Sequence, residues 1–303
     1  MIDPDRLSRL STALWALDAG FDRAAAVRCD PLGLVRQLPP PQREVGAHVA
    51  AMLSYGAVSQ IRRVITDVFD AADGDLVGAA GAPGRFWNRL GPYRYRMTEG
   101  TDIVALLTAL GELLQRHGSL ERAWAAGDPG SGDVRDGLVD YVTRLRVAAG
   151  RVRQARGTNY LLADPSTGSA TKRWYMLLRW LVRPDDGADL GLWQQVGASR
   201  LVLPLDTHTS RLSRWLGLTE RKTVDYLAAR QSTDVLARRR AASTCYGRAT
   251  YPGKSATTDL SPHRPLHPAD RHRSPRRGRQ PAITEQGEPE RRRAHYPKSC
   301  STT

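Results

Sequence analysis

The sequence predicts an all-α fold: a compact multi-helix domain over residues 1–236, followed by a disordered basic tail over residues 237–303. Three observations carry this. Through most of the first 236 residues, apolar side chains recur at i, i+3, i+4 and i+7, the period of a helix with one buried face. No stretch alternates apolar and polar residues as a half-buried strand would, apart from the short apolar run at 201–205. From Ala237 onward the only aliphatic residues larger than alanine are Leu260, Leu266 and Ile283, among eight prolines and many Arg, Ser and His. Such a segment cannot bury enough apolar surface to offset its chain entropy. A natural disordered tail has this composition, and so does a frameshifted reading of an arginine-rich gene.

The first helix covers 5–19, with Leu7, Leu10, Leu14 and Leu17 on one face. Asp30-Pro31 is a helix start, Asp as N-cap and Pro at the first helical position, and that helix ends before Pro39-Pro40-Pro41. Residues 43–69 form two helices broken at Ser54-Tyr55-Gly56, with Val45, Val49, Met52 and Leu53 on one stripe and Val58, Ile61, Val64, Ile65 and Val68 on the other. The Gly/Ala-rich stretch 74–84 reads as a loop. Aromatics and arginines interleave in Phe86-Trp87 and Tyr93-Arg94-Tyr95-Arg96, which suits either stacking on bases or a plain aromatic anchor. Residues 102–117 form an amphipathic helix, Ser119 caps a short one through Trp124, and 134–148 form another after the loop 127–132.

Residues 161–169 form a turn that feeds a helix over 170–182, with Trp174, Leu177, Leu178 and Leu181 inward and Lys172, Arg173, Arg179 and Arg183 on the other faces. A turn of small residues, Gly168-Ser169, at a helix start with bases nearby is a phosphate-binding geometry. Leu192-Trp193 starts a short helical piece. Then the run Leu201-Val202-Leu203-Pro204-Leu205 ends at Asp206, and a helix follows with Leu212, Trp215 and Leu216 on its apolar face and Gly217 at its C-terminus. Asp206 therefore caps a helix and faces the positive end of its dipole, where a carboxylate stays ionised and points in a fixed direction. A last helix runs from Thr219 to about Leu236.

Composition narrows the classes. A hydrophobic content of 41% supports a real core. No run approaches the roughly 18–20 apolar residues of a membrane helix, and the N-terminus lacks a signal-peptide layout, so a cytoplasmic protein with no membrane partner is expected. Cys29, Cys245 and Cys300 are too widely spaced for a zinc or cluster ligand set, and they read as separate reduced thiols. No metal and no cofactor are expected. Net charge is +14, of which residues 231–303 carry +9 (15 Lys/Arg less 6 Asp/Glu) and the first 230 residues the remaining +5. A polyanion, DNA, is the expected partner, although most of the basic excess lies outside the helical part.

Asp206-Thr207-His208 and Arg211, after the apolar run, resemble the V-D-T-H-x-x-R signature of the helix-hairpin-helix DNA glycosylases of the endonuclease III and MutY kind. A closer resemblance is to an uncharacterised bacterial family. It rests on Asp30-Pro31-Leu32, Leu53-Ser54-Tyr55-Gly56-Ala57, Tyr95-Arg96, Gly168-Ser169-Ala170, Lys172-Arg173, Leu178-Arg179-Trp180, Pro204-Leu205-Asp206-Thr207-His208-Thr209 and Arg221-Lys222-Thr223. The glycosylase resemblance implies that helical fold, Asp206 as the catalytic carboxylate, and Lys172 roughly where the superfamily's reactive lysine falls. It also implies DNA contacts from Arg211, His208, Arg173, Gly168 and Ser169. The hairpin before Lys172 departs from that pattern, with one glycine instead of two. Three readings therefore stand: a repair enzyme acting on a flipped base, a DNA-binding module on the same helices without catalysis, and a helical protein with a protein partner, for which the sequence offers no positive sign.

Overall fold

The computed structural model describes residues 4–246. Fourteen helices follow one another among them. They are α1 (Pro4–Ala19), α2 (Arg23–Cys29), α3 (Pro31–Gln37), α4 (Arg43–Leu53), α5 (Val58–Ala71), α6 (Leu76–Gly81) and α7 (Trp87–Leu90), then α8 (Gly100–His117), α9 (Leu120–Ala125), α10 (Arg135–Val152), α11 (Arg156–Leu161), α12 (Lys172–Val182), α13 (Thr207–Trp215) and α14 (Tyr226–Tyr246). The protein is mostly helical, as the apolar periodicity requires. The run at 201–205 is extended but pairs in no sheet. The only regular strands described are two-residue ones, β1 (Arg94–Tyr95) and β2 (Thr98–Glu99), an antiparallel hairpin within the aromatic and arginine cluster.

Helix α8 is the centre. It is apolar on nearly every face, from Ile103 through Leu113, and such a helix must be covered all round. Helices α4, α6, α7, α9, α10 and α11 cover it. The 74–84 stretch expected as a loop contains α6. Asp75 caps this helix by accepting from the Gly78 N–H at 2.9 Å, and its small residues permit close packing: a Cβ at Gly111 of α8 would lie 1.9 Å from the Ala80 carbonyl oxygen. Low intrinsic propensity hid this helix, and tertiary packing forms it.

A second part of the core is aromatic. Trp124, Tyr141, Trp174 and Trp193 are fully buried, with the Trp124 and Trp193 rings 5.8 Å apart. Within it sits His48, whose Nδ1 lies 2.8 Å from the Glu44 carbonyl and whose Nε2 lies 2.9 Å from the Tyr141 hydroxyl. Trp193 stands in irregular chain rather than in the short helix expected there. Its indole N–H reaches the Glu44 carboxylate at 2.7 Å, which holds the loop against α4.

Three further expectations change. The last helix begins at Tyr226, not Thr219, and continues to Tyr246, past the boundary expected at 236; the rest of the predicted tail, from 247, lies outside the described residues. Cys29 is disulfide-bonded rather than a reduced thiol. Leu17, placed on the inner face of α1, is 70% exposed. Among the described residues no helix is long and apolar enough to cross a membrane, and no group of three His, Cys, Asp or Glu side chains is placed to hold a metal ion.

Candidate functional site

The site is built where the starts of two helices meet. At one, Asp206 caps α13: its Oδ1 accepts from the Thr209 N–H at 2.8 Å. The helix ends as expected at Gly217, left-handed at φ 72°, where Leu218 N–H donates to Ser213 O and Gly217 N–H to Arg214 O, a Schellman closure. At the other, α12 begins at Lys172, two residues later than expected, because Thr171 is itself left-handed at φ 33°. A β-branched residue in that region is strained. The Thr171 hydroxyl is buried with no hydrogen-bond partner, and so is that of Ser210, one turn beyond Asp206.

The two starts are joined by a single contact. Lys172 Nζ lies 2.8 Å from Asp206 Oδ2, so the two residues expected to carry chemistry form an ion pair, each about a third exposed. Burial pushes the Asp206 carboxyl up, but the Lys172 ammonium and the Thr209 N–H outweigh it and hold the group at about 2. Asp206 is therefore an anion at any physiological pH, with both oxygens directed by named donors.

A second carboxylate, that of Asp30, has Lys172 among the cations whose charge acts on it. Asp30 caps α3, accepting from the Leu32 N–H at 2.8 Å through Oδ1. Burial raises its carboxyl above the usual range, against the opposing charges of Arg179, Lys172 and Arg62. Arg62, on α5, fixes the position by donating to the Asp30 carbonyl at 2.8 Å. In sequence Asp30 carried only a capping signal. No local pattern shows that the charges of Arg179, Lys172 and Arg62 act on it.

The remaining expected DNA contacts divide. His208 and Arg211 are exposed on α13, on the first two turns after Asp206. Arg173 points inward instead: its guanidinium donates to the carbonyls of Met52 and Tyr160 and lies over the Tyr160 and Tyr55 rings, 4.8 and 5.3 Å from their centroids. A cation at the last turn of α4 is well placed against that helix dipole, and its donors are spent there rather than on a phosphate. Arg179 is likewise engaged, with the buried Asp189 at 3.2 Å.

The turn at Gly168-Ser169 is also occupied. Gly168 adopts φ 79°, its carbonyl accepts from Tyr226 N–H at 2.9 Å, and Ser169 bridges to Asp225. The start of α14 thus braces one side of the turn. Helix α13 is turned opposite to its predicted face. Ser210 and Ser213 are buried, while Leu212 and Trp215 are 51% and 75% exposed.

No curated protein and no solved structure matches the chain. Residues 30–242 match a family described as proteins of unknown function, DUF2400, and the match takes in Asp30, the Ser54-Tyr55-Gly56 break, Lys172 and the whole of α13. The chain belongs to that family.

Proposed function

We propose that this protein is a DNA glycosylase-like repair enzyme that acts on a flipped base, with Asp206 as its catalytic carboxylate. The observation that supports it best is the 2.8 Å contact of Lys172 with Asp206 at the meeting of two helix starts. An anion held at about 2 by its neighbours is charged before substrate arrives, so it needs no proton loss to act. As the glycosidic bond breaks, positive charge develops on the sugar, and a fixed carboxylate stabilises it and orients the attacking water. Lys172 positions Asp206 and offers its ammonium to the substrate phosphates. Exposed Arg211 extends that cationic edge along α13, and exposed His208 stands on the same helix.

The flipped nucleotide is the natural ligand for such a site, because an enzyme that works on a base takes it out of the stack. The test is a panel of lesion-containing oligonucleotides scored for base release, with Asp206→Asn as control. Release from one of them that vanishes in the variant supports the reading; silence across the panel removes it.

One observation favours a binding module without catalysis. Both oxygens of Asp206 are already engaged, by Lys172 and by Thr209 N–H, as in a purely structural cap. That reading expects DNA binding by the wild type and no base release.

A further inference from the structure

We propose that the outer face of α13 is a nucleic-acid contact on which Trp215 stacks an unpaired base; this rests on the DNA partner of the reading above and not on its base release. His208, Arg211, Leu212 and Trp215 fall at i, i+3, i+4 and i+7, and so share one face of the helix. All four are exposed, Trp215 by 75%. The buried residues of α13, Ser210 and Ser213, lie on the opposite side. Tryptophan is highly buried on average, and here an open one ends a stripe rather than standing singly. Arg214 widens the surface. Its Nη1 donates to the Lys222 carbonyl at 3.4 Å, which sets the segment of exposed Lys222 and Val224 beside the last turn of α13.

The charges around this tryptophan select its partner. Arg211, Arg214 and Lys222 form no ion pair among the described residues. Beyond Asp206 the helix carries no acid. In the neighbouring segment Asp225 is held by Arg221 at 2.5 Å, and Glu220 is the exposed acid against the three cations. The core of a protein–protein interface is depleted of charge, whereas here Leu212 and Trp215 are set among cations. Aromatic rings interleaved with basic side chains are the make-up of a surface for single strands, where the cations follow the backbone and the bases stack on the rings. Trp215 stands nine residues beyond Asp206 on the same helix. At ~1.5 Å per residue this is roughly 13 Å along the axis. The stacked base is therefore not the one presented to Asp206 but a neighbour on the strand, about four nucleotides away at ~3.4 Å each.

The experiment titrates an oligothymidine carrying one 2-aminopurine with the full chain, over a series of salt concentrations. The fluorescence of that base falls when it stacks on an aromatic ring. Wild type is expected to bind and quench it. Trp215→Ala should bind about tenfold more weakly at every salt concentration, with an unchanged log–log slope and most of the quench lost. Trp215→Phe, which keeps a ring, should recover most of both. Arg211→Ala should do the reverse, keeping the quench and lowering the slope by roughly 0.7, one phosphate's worth on a single strand. Because Trp215 is exposed, the alanine variant should unfold with the wild type, and the basic tail adds the same ionic affinity to every variant. Equal affinity and equal quench in Trp215→Ala overturn the stacking role while leaving DNA as the partner. A wild type that binds no DNA overturns both the stacking role and the reading on which it rests. Self-association of the wild type that Trp215→Ala abolishes, without any effect on DNA, overturns the proposal and gives the stripe to a second copy of the chain. The expected quench with no base release from any lesion supports the stacking role and removes only the catalytic reading.

Discussion

Arg173 and Met52 are joined across the packing of α12 on α4: the guanidinium at the first turn of one helix donates to a carbonyl in the last turn of the other. The same group donates to the Tyr160 carbonyl and covers two tyrosine rings, so it is a structural cation beside the site rather than a contact for a ligand. Arg173→Ala should therefore lower stability by about 2–4 kcal/mol, through carbonyls left unpaired and lost stacking. Arg173→Lys, which lacks the planar fork, should recover only part of this. Denaturant unfolding checks both, and an alanine variant as stable as the wild type would contradict the placement.

Burial pushes the His48 imidazole down to about 4, although its contact with the Glu44 carbonyl works the other way. An unfolded histidine titrates near 6.5. Between these values the unfolded chain binds the extra proton, so stability falls as pH drops through that window and gains nothing above it. The expected loss is about 2 kcal/mol between pH 6.5 and 5. Unfolding midpoints at pH 7, 6 and 5, compared with His48→Gln, read it directly. The slope should flatten in the variant, and an equal slope in both would show that another group is responsible.

If DNA is the partner, the exposed cations decide its salt dependence. Arg211→Ala should reduce the log–log slope of affinity against salt by roughly 0.9, one phosphate's worth, whereas Arg173→Ala should leave it unchanged. The measurement needs a chain ending after Tyr246, because residues 247–303 carry +7 (12 Lys/Arg less 5 Asp/Glu) and would bind DNA unaided. That shortened chain is expected to melt with the full length, since only Leu260, Leu266 and Ile283 among larger aliphatics lie beyond the cut. A melting point several degrees lower would mean that the removed part packs on the domain.

Local signals were legible in the sequence and long-range ones were not. Asp30-Pro31, Ser119, Asp206 and Gly217 were each readable as caps, because a cap is a contact within a few residues. The period of α8 and the break at Ser54-Tyr55-Gly56 were visible for the same reason. Helix α6 was not, since glycine and alanine carry no stripe. The face of α13 was inverted: periodicity prefers Leu212 and Trp215 inward, whereas Ser210 and Ser213 are the buried residues. Residue types alone could not separate Lys172 from Arg173: adjacent cations at one helix start, one meets Asp206 and the other turns under α4.

The most direct test of the central claim is single-turnover base release and DNA affinity measured side by side for wild type, Asp206→Asn and Asp206→Ala. Asn keeps a cap of similar quality and removes the charge; Ala removes both and costs about 0.5–2 kcal/mol of stability. The account predicts an Asn variant that folds as the wild type does, binds DNA at least as tightly because a carboxylate near phosphates is gone, and releases base slower by orders of magnitude. An Asn variant with the full rate of base release would contradict it and leave Asp206 as a cap alone.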